Sequence, residues 1–74
     1  MSTVQLPDIE TVAELVHDAW RQAKLLQGIT SRLSETGEEL MRPYAELSEA
    51  AKNLDRIAVF TVYEAIRTVR ARSG

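Results

Sequence analysis

The chain has 74 residues, 45% of them hydrophobic and 27% charged, with a net charge of −2. That balance suits one small folded domain and excludes a disordered tail. The absence of cysteine excludes disulfides and thiolate metal sites, and the acidic balance gives no global pull toward a nucleic-acid backbone.

A chain of this size buries only about 60% of the surface its unfolded form exposes, so its core is marginal and a partner chain is the usual remedy. One domain over residues 1–74 is expected: an extension over 1–7, the folded part over 8–70 and a tail over 71–74. "MSTVQLPDIE" has no basic region followed by an apolar one, and the longest strictly apolar run, Ile57 to Phe60, is far short of a membrane span. A cytoplasmic protein with no membrane partner is the expectation.

Asp8, after Pro7, is placed to cap a helix, with Glu10 and Glu14 at the positive end of its dipole. Apolar residues then recur at Ile9, Val12, Val16, Ala19 or Trp20, Ala23 and Leu26, the spacing of one helical face. Gly28 stands where a left-handed cap belongs, so the first helix is predicted over about 9–27. In "ITSRLSETGEELMRPY" the "SETG" cluster between "ITSRL" and "EELMR" predicts a short hairpin-like or irregular segment.

Pro43 ends that segment, Tyr44 to Glu46 make a turn, and Ser48 caps a second helix predicted over about 49–70. Leu47, just ahead of the cap, is placed to pack back onto the first turn. The helix's apolar positions include Ala51, Leu54, Ala58, Val62, Ala65 and Val69. Within it, "IAVFTVYEAI" is apolar nearly all round, which demands burial on more than one side. The competing assignment is a strand, given the β-branched and aromatic content, but strong helix formers flank the stretch on both sides. A mainly α fold assembling as a symmetric homodimer follows, with Ile57, Phe60, Tyr63 and Ile66 at the interface.

Glu14 and His17 have the Glu-x-x-His spacing of a bundle metal ligand, but one copy holds no metal without a second chain, and a packed His with a carboxylate or carbonyl partner is the commoner outcome. No nucleophile–base pairing and no phosphate loop is readable, so neither a catalytic site nor a cofactor is expected. Arg32, Arg42, Lys52 and Arg56 could converge near the start of the second helix, where phosphate is favoured, or pair with neighbouring carboxylates. Trp20 and Tyr44 could stack on a base but are more often core. Arg67, Arg70 and Arg72 suit either the helix dipole or DNA, and the acidic remainder argues against nucleic acid as the main partner.

Taken together, "VAELVHDAW", "QG" and "LMRPYAELSEAAKNLDR" resemble the ryanodine-receptor (RyR) domain, in the stand-alone single-repeat form found in bacterial and phage proteins. The resemblance covers about Val12 to Val62 and rests on His17, Trp20, Gly28, Pro43 with Tyr44, Leu47, Lys52, and Asp55 with Arg56. The family's Gly-Trp and following aromatic-Gly pair are missing from "GITSR", and the linker to Pro43 is shorter. The resemblance implies structural roles for His17, Trp20, Gly28 and Pro43. It also implies a non-enzymatic binding module, in which a lone repeat recovers the family's paired packing by homodimerising. An anionic small ligand such as a nucleotide, held by Arg32, Tyr44, Lys52 and Arg56, is then expected. The alternative is a protein-interaction or regulatory adaptor, of phage or prophage type, docking a protein partner; a small DNA-binding regulator comes third.

Overall fold

The computed structural model describes residues 6–73. It is mainly α, with two helices, α1 (Ile9–Leu26) and α2 (Glu49–Ser73), and no strand among the described residues. Most of the expected 1–7 extension lies outside the described residues. α1 ends one residue short of its predicted limit. α2 runs three residues past 70, with Arg70 and Arg72 in its last turn, where positive charge is favoured.

The ends of α1 are set locally. The Asp8 carboxylate accepts from the Thr11 backbone N–H at 3.1 Å. At the other end Gly28 adopts a φ of 80°, Gly28 N–H donates to the Leu25 carbonyl, and Ile29 N–H donates to that of Lys24. This paired closure needs a left-handed residue that glycine supplies without steric cost.

The segment between the helices is a tight loop. Leu33 and Glu39 form one isolated antiparallel bridge, and Gly37, at φ 88°, closes the turn with its N–H on the Ser34 carbonyl. The Glu39 carboxylate accepts from the Ser31 hydroxyl and from the Arg32 and Met41 backbone N–H groups. Side chains thus replace the ladder that a longer hairpin would supply. Tyr44–Glu46 forms a 3₁₀ turn after Pro43. Ser48 caps α2, its hydroxyl accepting from the Ala51 N–H, while Glu38 accepts from both the Ser48 N–H and its hydroxyl. That carboxylate pins the loop to the start of α2.

The helices pack antiparallel: Tyr63 donates its hydroxyl to the Pro7 carbonyl at 2.9 Å, and Asp55 meets His17. The core is small, made of Ala13, Tyr44, Leu47, Ala51, Val59 and Tyr63. Leu47 is buried, as expected of a residue packing onto the first turn. Val12 and Ile9 pack against this cluster.

The phase of both helices departs from the sequence expectation. α2 turns inward the line Ala51, Asp55, Val59 and Tyr63, one residue every four, while Leu54, Val62 and Val69 are 61%, 55% and 59% exposed. On α1, Ala13 and His17 are buried while Val16 and Leu26 face outward. Each helix therefore makes its main contact beside its most apolar stripe. The physical reason is polar: His17, Tyr44 and Asp55 find their partners only in this phase.

Candidate functional site

Two neighbouring constellations sit where α1 crosses the first half of α2. In the first, His17 is buried with both ring nitrogens against acceptors. Its Nε2 lies 2.9 Å from the Arg42 carbonyl oxygen and its Nδ1 3.2 Å from Asp55 Oδ2. A neutral imidazole donates to one of these at a time; an imidazolium donates to both. Burial pushes the Asp55 carboxyl above its ordinary range, and His17 beside it pulls it part of the way back. The Trp20 and Tyr44 rings flank the imidazole, with centroids 5.5 and 6.1 Å away. His17 therefore takes one carboxylate and one carbonyl partner, and ties α1, the Pro43 loop and α2 together.

The second constellation gathers Tyr44, Lys52 and Arg56. The Tyr44 hydroxyl donates to Glu10 at 2.8 Å. Burial, and then that bond, push its phenol up to about 12. Arg56 grips Glu10 through Nε at 2.6 Å and Nη2 at 3.1 Å, and reaches Glu49 through Nη1 at 2.8 Å. These bonds hold both carboxyls below the usual carboxylate range. The Lys52 ammonium stands 5.6 Å from the Tyr44 ring centroid and 3.9 Å from Glu49.

Three of the four residues expected to hold an anion are thus brought together. They already face two carboxylates. Arg32 stands apart in the loop: it is exposed, and its backbone N–H and carbonyl join the turn through Glu39 and Leu40. The sequence signals missed here are Glu10, which read only as favourable charge at a helix start, and Glu49, which read only as the first residue of the second helix. Their contact with Arg56 depends on the antiparallel packing.

The expected dimer residues are divided by the fold. Tyr63 is buried and hydrogen bonded to Pro7, and Ile66 is half-buried, while Ile57 and Phe60 are exposed. Beside them runs a longer apolar surface. A groove of about 490 Å³ is lined by Leu33, Leu40, Ala50, Ala51 and Leu54, with Glu35 and Glu38 at its edge. A cavity of about 270 Å³ shares Leu40, Ala51 and Leu54 with it and adds Val16, Trp20 and Asp55. The surface continues over Val12, Val16, Ala58 and Val62, then over Ala65, Ile66 and Val69. Leu54, Ala58, Val62, Ala65 and Val69 recur at threes and fours, so they form one stripe along α2.

No group of three or more His, Asp or Glu side chains among the described residues is arranged to hold a metal. No helix among them is long and apolar enough to cross a membrane. No protein-family model matches the chain, and neither a curated protein nor a solved structure matches it.

Proposed function

We propose that this chain is a non-enzymatic binding module of the RyR-domain type that assembles as a homodimer through the apolar side of α2. One observation carries the reading: the exposed stripe Leu54, Ala58, Val62, Ala65 and Val69, continuous with Val16. Leaving a large apolar side chain in water forfeits roughly 1.5–3 kcal/mol, and a contiguous patch of this kind marks an interface in a small protein. The polar junction supports it from the other side, because its groups satisfy one another and offer little unpaired chemistry.

Sedimentation of the purified protein tests this. A dimer at micromolar concentration is expected, converted to monomer by Val62→Glu with helix content intact. A wild-type chain that stays monomeric overturns the proposal.

A second reading, an anionic small ligand such as a nucleotide, rests on the convergence of Tyr44, Lys52 and Arg56. An anion there would displace the well-exposed Glu49 carboxylate from Lys52 and Arg56. Native mass spectrometry with a nucleotide pool decides it. A retained adduct that vanishes in the Lys52→Ala, Arg56→Ala double variant supports this reading; no adduct removes it.

A further inference from the structure

The apolar stripe of α2 meets opposite charges at its two ends. Its C-terminal stretch, "AIRTVRARS" from Ala65 to Ser73, carries Arg67, Arg70 and Arg72 and no acidic residue. At the other end the stripe runs into the groove edged by Glu35 and Glu38, beside a loop, "SETGEE", that contains three acids and no base. Asp55 lines the adjoining cavity. The C-terminal stretch also projects: α2 is about 37 Å long against about 27 Å for α1. Tyr63 already sits at the level of Pro7, at the start of α1.

Resting on the homodimer reading above, we infer that the acidic-edged groove is filled by the C-terminal end of α2 from a second copy of this chain. The two α2 helices pair antiparallel about a two-fold axis near Val62. In that register Val69 of one copy falls opposite Leu54 and Asp55 of the other, and Ile66 falls opposite Ala58. Arg72, three residues on from Val69 and in line with the stripe, then reaches the edge of the groove, with Arg70 next to it, while Arg67 stays paired with Glu64 on the far side of its own helix. Parallel pairing would set arginine cluster on arginine cluster and acidic loop on acidic loop, and like charges at close range repel. Antiparallel pairing satisfies the same apolar stripe and turns both repulsions into attractions. It is also self-complementary, as a closed dimer requires.

The cysteine-free sequence permits a direct test by disulfide formation, which requires Cα atoms within about 7 Å. Val62→Cys alone should cross-link to itself. Val69→Cys alone should not, because the two copies of that residue lie about 20 Å apart along the paired helices. Mixing Val69→Cys with Leu54→Cys protein should give a mixed dimer. Charge reversal supplies a second readout: Arg72→Glu and Glu35→Lys should each weaken the dimer several-fold, and the two together should restore it. Efficient self-cross-linking of Val69→Cys, or a dimer indifferent to both reversals, overturns the antiparallel arrangement while leaving the homodimer in place. A monomeric wild-type chain overturns both.

Discussion

The crossing of α1 with the first half of α2 and the outer flank of α2 solve the burial problem in opposite ways. At the crossing, His17, Asp55, Tyr44, Glu10 and Arg56 hold each other through bonds of 2.6–3.2 Å, around a core whose apolar members are mostly Ala, Val and Tyr. On the flank, Leu54, Val62 and Val69 stand more than half exposed, and apolar side chains make no directional bonds. Directional bonds fix one arrangement of the helices, and buried polar groups are costly in any other. Apolar area is non-directional and can be covered by whatever fits. The polar crossing therefore defines the fold, and the apolar flank is left for assembly.

The largest effect is expected from removing the centre of the crossing. His17→Ala leaves the Arg42 carbonyl and the part-buried Asp55 carboxylate without their partner and opens a gap between the helices. A loss of about 3 kcal/mol in urea unfolding is expected, a large fraction of the stability of so small a domain. A loss below about 1 kcal/mol would show that the apolar residues alone specify the packing.

Tyr44→Phe is a milder version of the same cut. The ring remains while the hydroxyl on Glu10 is deleted, and about 1 kcal/mol should go. Gly28→Ala, at φ 80°, should lose a similar amount through backbone strain alone. It serves as a control that leaves both regions' side chains in place.

Acid should act chiefly through the crossing and the loop joined to it. Arg56 holds the Glu10 and Glu49 carboxyls below their usual 4.5, while Glu38 is held down by Ser48, and Glu39 by Ser31 and the Arg32 and Met41 N–H groups. Depressed carboxyls contribute stability that is complete above their unfolded value and lost as the pH falls through the folded one. Asp55, shifted upward, acts with the opposite sign. With four groups against one, the melting temperature should hold down to about pH 4.5 and fall below it. A profile flat to about pH 3 would contradict these couplings.

The smallest effect belongs to the flank. In a monomeric Val62→Glu background, Val69→Ser should change stability by no more than about 0.5 kcal/mol, since the side chain has little to lose within its own chain. A larger loss would mean that Val69 supports the monomer, and the contrast between the two regions would disappear.

Both helices were legible in the sequence because their start and stop signals are local. Asp8, Gly28 and Ser48 act on backbone groups within a few residues, and the three- and four-residue recurrence of apolar side chains carries the helices between them. The helical state of "IAVFTVYEAI" followed from its flanks in the same way. Partnership across the chain was less legible. That His17 would choose a carboxylate or a carbonyl could be anticipated; that it takes both, from Asp55 and Arg42, could not. Glu10 looked like a dipole charge until α2 brought Arg56 beside it. The rotation of the helices was the least legible feature. Periodicity identifies an apolar face, but a helix this apolar has more than one candidate, and the choice among them turns on long-range hydrogen bonds. Local signals along the chain were enough for two helices, their limits to within a few residues and a surplus of apolar surface. Which surface is surplus depends on long-range packing, because the antiparallel arrangement satisfies His17, Tyr44 and Asp55 and leaves the Leu54–Val69 stripe outside.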